Sequence, residues 1–237
     1  MRVKNISDDI VRTTAGDFQG KVIIGADGPK STVAKTVGLP APSRYGQCIC
    51  CDMPGDFPPI TQMHFGQVAP GGYAWVIPKA KSANIGLGVQ HKISKKPLTE
   101  LFKTFKTQFD GEATWTSGGP VPVSGPVDVT VKGRAMLVGD AAGFVIATNG
   151  GGIITAMIGG REAGKVAAGH IKNGMPLFEY ERRWRTIMEK ELKTAVRTKW
   201  LADRFFPYDH VFETVMKFMG PKMMVRAITC KNIFTGR

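Results

Sequence analysis

A strand-like apolar run ends at Gly139-Asp140, and the triplet Gly150-Gly151-Gly152 then precedes an apolar run from Ile153 that is typical of a helix. Glycine lets a ligand approach the backbone closely, and a helix N-terminus offers free N–H groups at a positive dipole end. An ionised aspartate only accepts hydrogen bonds, which suits the hydroxyls of a sugar or polyol. The pattern indicates a cofactor with a polyol and a polar ring edge, unless the glycines serve only to pack a helix on a sheet.

A second strand–turn–helix junction lies near the start of the chain. The strand-like run KVIIG (residues 21–25) is broken by Asp27-Gly28, and Ser31 is a suitable N-cap for a helix that ends at about Val37. Between the two junctions, residues 43–133 contain short β-type runs with many Pro and Gly residues. This composition predicts a mainly antiparallel sheet, with one helix over residues 98–109.

Three segments carry a resemblance to known proteins. GADGPKS (residues 25–31) resembles the DG motif of the flavoprotein hydroxylase fold, and VGDAAGFVIATNGGGI (residues 138–153) resembles its GD motif. GGYAWVIPKAKSANIGLG (residues 71–88) resembles the Y-x-W-x-F-P-x7-G-x-G signature of the geranylgeranyl reductase family. The residues that match this signature are Tyr73, Trp75, Pro78, Gly86 and Gly88.

The resemblance implies an α/β (α+β) fold in four regions. Residues 1–42 would be part of an FAD-binding domain of the flavoprotein-hydroxylase type, and residues 43–133 an inserted antiparallel-sheet substrate domain. Residues 134–175 would return to the FAD-binding domain with the GD motif and a helix. Residues 176–237 would form a helical C-terminal region, in which apolar residues from Leu177 to Val196 already show helical spacing.

The family relationship also implies the chemistry. Its members are FAD-dependent oxidoreductases that reduce carbon–carbon double bonds of geranylgeranyl chains, here expected to belong to membrane lipids. The electron donor would be a nicotinamide, a ferredoxin or a deazaflavin. No catalytic residue and no metal ligand can be named from the sequence. The residues expected to bind FAD are Asp27, Gly28, Gly139, Asp140, Gly150, Gly151, Gly152 and Ile153, and those expected to line an apolar tunnel for the isoprenoid chain are Tyr73, Trp75, Pro78, Gly86 and Gly88. From their residue types alone, Tyr73 and Trp75 would also suit ordinary sheet core.

The sequence departs from the family pattern at three points. Ala147 stands where the GD motif usually has proline, and Ile77 replaces an aromatic residue of the signature. The chain contains no G-x-G-x-x-G segment, which would cradle the ADP half of FAD. We therefore expect the chain to be the later part of a longer flavoprotein, or to work with a separate N-terminal flavoprotein segment.

The net charge and the cysteine content limit which cellular location and which binding partners can be expected. The net charge is +13, which fits an anionic membrane surface, a phosphorylated ligand, nucleic acid, or simply a basic solvated surface. The basic residues do not interleave with aromatics in any nucleic-acid motif, so nucleic acid is not expected as a partner. No signal peptide pattern is present, and the four cysteines form no C-x-x-C pair. We expect a cytoplasmic protein, peripheral at the membrane, without a zinc site.

Two other functions remain open at this stage. One is a related flavin monooxygenase or oxidoreductase of the same fold. The other is a non-catalytic lipid-binding fragment that lacks the cofactor half. Saturated rather than hydroxylated products would separate the reductase from the monooxygenase, and lipid binding without any flavin would favour the fragment.

Overall fold

The computed structural model describes residues 3–7, 10–90, 92–204 and six positions between 214 and 223. These residues fall into two compact units. Unit 1 is made of residues 3–44 and 122–198, and unit 2 of residues 45–121 together with the described residues between 199 and 223. Segments 122–133 and 176–198 thus belong to unit 1, whereas the sequence placed the first in the sheet domain and the second in a separate helical region.

Unit 1 begins with an antiparallel meander of three strands. The third strand, with the sequence GDFQ, could not be predicted, because it is exposed throughout and has no apolar alternation. It pairs with β2 across a tight turn that joins Thr13 to Gly16. The strands are β1 (Val3–Ser7), β2 (Ile10–Thr13) and β3 (Gly16–Gln19).

The second sheet of unit 1 brings the two predicted junctions side by side. Its strand order is β10-β11-β4, and β11 runs parallel to β4, so the strands that precede Asp27 and Asp140 are direct neighbours. Helix α1 follows β4, and the Ser31 hydroxyl accepts the Ala34 N–H at 2.9 Å, as its predicted role of N-cap requires. The elements are β4 (Ile23–Gly25), α1 (Thr32–Val37), β10 (Val131–Lys132) and β11 (Ala135–Leu137).

Three α-helices and one π-helical turn cover this sheet. The predicted tail helix contains a π-helical turn, which the sequence analysis did not foresee. Its buried residues Tyr180, Trp184, Met188 and Leu192 recur every four positions, a longer step than the 3.6 residues of an α-helical turn. The wider π turn takes up the excess and keeps them on one face. The segments are α3 (Ile153–Asn173), α4 (Glu179–Trp184), the π turn (Arg185–Glu189) and α5 (Lys190–Ala202).

Unit 2 is the predicted sheet with one helix. Its strand order is β6-β7-β8-β5-β9, and the pairs β6–β7, β7–β8 and β5–β8 are antiparallel. Apolar residues of helix α2, Leu101, Phe102 and Phe105, pack on one face of this sheet and bury it. The elements are β5 (Tyr45–Pro54), β6 (Gln62–His64), β7 (Tyr73–Pro78), β8 (Ser82–Val89), α2 (Leu98–Lys106) and β9 (Trp115–Pro122).

The expected helical C-terminal region lies partly outside the described residues. Most of residues 205–237 are not described, and Cys230, one of the four cysteines, is among them. Within the part of the chain that is described, every helix is too short or too polar to cross a bilayer. The same part holds no cluster of three or more His, Cys, Asp or Glu side chains that would suit a metal ion.

Candidate functional site

Asp140 is positioned by a sharp turn at the end of strand β11. A single 3-10 turn (Gly139–Ala142) begins there and ends at Gly143, whose φ of 70° lies in the left-handed region. Ala141, Ala142 and Phe144 are fully buried, so the turn is fixed by the core of unit 1. This arrangement directs the strand end into the loop that precedes helix α3.

The Asp140 carboxylate is half-buried beside the start of helix α3. A Cβ placed on Gly152 would lie only 3.2 Å from its Oδ1, so a residue other than glycine would crowd the carboxylate. Burial raises the pKa of Asp140 above its ordinary value. No described residue donates a hydrogen bond to the Asp140 side chain. A carboxylate that lacks a donor from the protein is suited to accept hydrogen bonds from a ligand's hydroxyl groups.

The three glycines do not all offer free N–H groups. The Gly150 N–H donates to the Ile146 carbonyl at 2.8 Å, and the Gly151 N–H donates to Asn149 Oδ1 at 2.7 Å. No described residue accepts from the N–H groups of Gly152, Ile153 or Ile154, which open the 21-residue helix α3. The available donors therefore begin at Gly152, the last of the three glycines.

This junction combines one anionic acceptor with several neutral donors. A phosphate on the N–H groups would lie close to the Asp140 carboxylate and be repelled by it. A neutral group that has both hydroxyl donors and carbonyl acceptors satisfies both sides of the junction. The geometry thus fits the polyol and polar ring edge of a flavin better than a bare anion.

At the other junction, Asp27 is already engaged by its own helix. Its Oδ2 accepts the N–H groups of Thr32 and Val33 at 2.7 and 3.0 Å, and its Oδ1 accepts the Ser31 hydroxyl at 2.6 Å. Gly28 adopts a φ of 84°, and no atom lies within 4 Å of where its Cβ would be. Asp27 therefore shapes the turn and caps α1, while Gly28 leaves open space beside it.

Four of the five signature residues, Tyr73, Trp75, Gly86 and Gly88, lie together on the sheet face opposite helix α2. Strand pairing aligns Tyr73 with Gly88 and Trp75 with Gly86, and the next strand places Cys48 beside Gly88 and Cys50 beside Gly86. Tyr73 and Trp75 are only partly buried, and their rings are 5.7 Å apart. We call this surface the aromatic face; its residues are Cys48, Cys50, Tyr73, Trp75, Asn84, Gly86 and Gly88.

Two ionisable side chains of the aromatic face, Cys48 and Tyr73, are held uncharged at neutral pH by their raised pKa values. Burial, with a smaller contribution from Cys50, raises the pKa of the Cys48 thiol to about 11. Burial, with a smaller contribution from Cys48, raises the pKa of Tyr73 to about 12. A face of aromatic rings, a protonated Cys48 thiol and bare glycine backbone suits an uncharged apolar ligand.

Pro78 lies at the end of strand β7 and opposite Ala83, away from the two aromatic rings. Beyond it, Lys79 Nζ forms an ion pair of 2.6 Å with Asp52. Ile77, which replaces the usual aromatic residue, is 43% exposed, and Ala147, which replaces the usual proline, is buried. The structure thus brings Tyr73, Trp75, Gly86 and Gly88 together and leaves Pro78 at a polar end of the strand.

Sequence reasoning did not identify Asn84 or the two cysteines as members of the aromatic face. The alternation of side chains along a strand could have done so, because Asn84 is two residues before Gly86 and therefore shares its face. The same alternation places Cys48 and Cys50 on one face with Cys51 opposite, and the strand pairing shows this arrangement. Only the register with β8 shows that this face is the aromatic one.

Comparisons with known proteins agree with the motifs. Residues 47–115 match the model of the geranylgeranyl reductase catalytic domain. A digeranylgeranylglycerophospholipid reductase from Methanocaldococcus jannaschii is 38% identical over 70% of this chain and 46% of its own length. Another from Methanococcus aeolicus is 31% identical over 79% of this chain and 52% of its own length. The chain spans about half the length of the curated relatives it matches.

Solved structures show the same fold. A geranylgeranyl bacteriochlorophyll reductase-like protein from Thermoplasma acidophilum superposes with a TM-score of 0.73 at 24% identity, covering 87% of this chain and 56% of that one. A probable FAD-dependent monooxygenase from Pseudomonas aeruginosa gives 0.60 at 14% identity, covering 91% and 65%. The mixed α/β architecture inferred from the sequence is confirmed.

Proposed function

Because the chain belongs to the geranylgeranyl reductase family, we propose that it acts in the flavin-dependent reduction of carbon–carbon double bonds in the geranylgeranyl chains of membrane lipids. The observation that carries this proposal is the aromatic face, on which Cys48 and Tyr73 are uncharged at neutral pH and which lies inside the segment that matches the family's catalytic domain. An isoprenoid chain has no charged group for a protein to bind. Neutral aromatic and thiol surface is what holds such a chain.

The junction at Gly139-Asp140 in unit 1 fits a flavin. Asp140 would accept hydrogen bonds from the ribityl hydroxyls, and the N–H groups of Gly152, Ile153 and Ile154 would donate to the polar edge of the ring. The space beside Gly28 would admit a further part of the cofactor. When bound, the flavin supplies the hydride that an alkene reduction requires. The electrons come from an external donor.

Two unpartnered surfaces of unit 1 support a further α/β segment as partner, in the same or a separate chain. Strand β4 is an edge strand of its sheet among the described residues, and an edge presents backbone groups with which a further strand can pair. At the start of α3, Ile153, Ile154 and Met157 are 81%, 72% and 70% exposed. A strand added beside β4 and a helix on α3 would cover both surfaces and complete the flavin site.

We also propose that the protein works at an anionic membrane surface. The net charge of +13 favours such a surface, and the substrate lipid is embedded there. Peripheral association needs no membrane-spanning helix.

A flavin monooxygenase is the second candidate, because one solved neighbour of this fold is described as a probable FAD-dependent monooxygenase. The two functions give different products. Reduction adds two hydrogens for each double bond, whereas monooxygenation adds oxygen. The signature residues on the aromatic face favour reduction.

The proposal is tested first by flavin binding and then by product analysis. The purified chain is incubated with FAD and desalted, and its visible absorption spectrum is recorded. The protein, with dithionite as reductant, is then given a digeranylgeranyl glycerophospholipid, and the mass of the lipid is measured. We expect retained flavin and a lipid that gains two hydrogens per saturated bond.

A lipid unchanged in mass, in the presence of bound and reduced flavin, would contradict the reductase. A mass increase by oxygen, with O2 present, would instead establish the monooxygenase. If the chain retains no flavin, the same assay is repeated with the N-terminal half of a full-length relative supplied as a separate chain. Flavin that is still not retained in that mixture would support the non-catalytic lipid-binding alternative.

A further inference from the structure

Trp75 occupies the space that a side chain at position 86 would need. A Cβ built on Gly86 would lie 2.3 Å from Cζ2 and 2.6 Å from Cε2 of the indole. Both distances are far below van der Waals contact, so the indole lies against the bare backbone of strand β8. The same Cβ would also lie 2.6 Å from the Cβ of Cys50 on strand β5. Position 86 is therefore a hollow in the sheet that the indole fills.

Asn84 fixes the indole in this hollow. Its Oδ1 accepts the Trp75 Nε1–H at 2.7 Å, while its Nδ2 donates to the Cys51 carbonyl at 3.4 Å. The second bond determines which way the Asn84 amide points and therefore keeps its oxygen towards the indole. Tyr73 flanks the indole with its ring plane tilted by 55°. The orientation of Trp75 is thus determined by its hydrogen bond to Asn84 and by its contacts with Gly86 and Tyr73.

We propose that Asn84 and Gly86 determine substrate width: by holding the Trp75 indole against the sheet, they leave room above it for the methyl branches of an isoprenoid chain. The inference rests on the proposed function, because it assumes that such a chain lies on the aromatic face. A straight hydrocarbon chain is narrower and needs less of this room. Asn84 and Gly86 are therefore specificity-determining positions, and Asn84 acts through Trp75.

Asn84 is a polar side chain on a face that would bind an apolar ligand, and its hydrogen bonds explain how it can lie there. Its oxygen and its amide nitrogen each form one hydrogen bond within the sheet, which lowers the cost of placing an apolar ligand beside them. A leucine of similar size would keep the apolar surface but would lose the bond to the indole. An aspartate would keep the acceptor.

The test compares two ligands of similar length and different width. Binding of geranylgeraniol, which is branched, and of oleyl alcohol, which is straight, is measured by calorimetry in the same detergent. In Gly86→Ala the indole is displaced into the room above the sheet, so affinity for geranylgeraniol should fall about tenfold and that for oleyl alcohol less than about twofold. Asn84→Leu should change the ratio in the same direction, and Asn84→Asp, which keeps an acceptor for the indole but loses the donor to the Cys51 carbonyl, should change it less.

A second readout follows the indole itself. The Trp75 Nε1–H resonance is assigned with Trp75→Phe in a ¹⁵N-labelled protein. It should shift and exchange faster with solvent in Asn84→Leu, but remain protected in Asn84→Asp. Gly119→Ala is the matched control, because no atom lies within 4 Å of its Cβ position, and both readouts should match the unchanged protein.

The outcomes separate this inference from the function on which it rests. Equal losses for both alcohols, or no loss, would overturn the width determinant while leaving the reductase untouched. An Asn84→Leu protein with an unaltered indole resonance would overturn the positioning role of Asn84. Failure of the unchanged protein to bind either alcohol would remove the proposed substrate, and the inference with it. Normal selectivity without any saturation of the lipid would count against the reductase alone.

Discussion

Asp140 is a half-buried carboxylate without a described side-chain partner, and this makes it a useful test of the cofactor site. Its pKa is raised by burial, so the ionised form is less stable in the folded protein than in the unfolded chain. At neutral pH, well above the ordinary pKa of an aspartate, the group therefore reduces stability. Because the ionised carboxylate reduces stability, its presence is better explained by a role in binding a ligand than by a role in the fold.

We predict that Asp140→Asn weakens flavin binding by at least about tenfold, since a hydrogen bond to a charged group contributes roughly 1.5–3 kcal/mol. The same substitution should leave the melting temperature unchanged or raise it, because it removes the ionised carboxylate. Flavin titration and thermal unfolding of the flavin-free protein measure the two effects. Asp56→Asn, which alters an exposed carboxylate, should change neither. A lower melting temperature with unchanged flavin binding would show that Asp140 is structural.

Cys48 predicts a pH dependence of stability. Its pKa is raised from 9.0 to about 11 in the folded protein, so stability is fully present below pH 9 and is lost as the pH rises through 11. The loss attributable to this thiol between pH 9 and 11 is about 2 kcal/mol. Urea unfolding at several pH values should show a shallower decline in Cys48→Ala than in the unchanged protein. Parallel declines would mean that the thiol is already accessible to water.

At the scale of elements, helix α4 holds the strand that ends in the cofactor junction. The Tyr180 hydroxyl donates to the Leu137 carbonyl at 2.8 Å, and the Trp184 indole donates to Thr130 Oγ1 at 3.0 Å. Both tyrosine and tryptophan are fully buried. The position of Asp140, three residues after Leu137, therefore depends on a helix some forty residues further along the chain.

We predict that Tyr180→Phe lowers the free energy of unfolding by about 1–2 kcal/mol, because a buried carbonyl loses its donor without any change in packing volume. Chemical denaturation measures this change. Thr186→Ala, which removes an exposed hydroxyl bonded to the Arg182 carbonyl, is the control and should alter stability by less than about 0.5 kcal/mol. An equal effect of the two substitutions would contradict the anchoring role of α4.

The helices and strands that could be predicted from the sequence are those that are marked by residues next to them in the chain. Helix α1 has its N-cap Ser31, and helix α3 follows three glycines, so both were recognised from neighbouring residues. Strand β3 was missed because it is stabilised by backbone pairing with β2 rather than by apolar alternation. The π turn was missed because four-residue spacing is equally compatible with a drifting α-helix, and only packing on unit 1 decides between them.

The same distinction applies to the candidate site. The strand-to-helix junction pointed to Asp140. The resemblance to the family signature, whose positions have a fixed spacing, pointed to Trp75 and Gly86. The use of the Gly151 N–H by Asn149, and the bond from Trp75 to Asn84, depend on how a loop and two strands are brought together. Such contacts follow from register and turn geometry, which side-chain type alone does not encode.

At the scale of the whole chain, the dominant feature is positive charge. Lys and Arg number 32 against 19 Asp and Glu, and residues 161–237 contain 16 basic against 8 acidic residues. A basic residue close to an anionic bilayer contributes about 1 kcal/mol to binding, and this contribution falls off within a Debye length. A few such residues on one surface would be enough to bring the protein to its lipid substrate.

We predict that the protein sediments with vesicles containing phosphatidylglycerol and not with vesicles of phosphatidylcholine alone. Raising the salt concentration from about 0.1 M to 1 M shortens the Debye length from about 10 Å to 3 Å, so most of the bound protein should then be released. Retention at high salt would indicate that apolar insertion, rather than charge, holds the protein at the bilayer. Equal binding to both kinds of vesicle at low salt would contradict an electrostatic membrane contact, and the lipid would then have to reach the aromatic face without help from the net charge of +13.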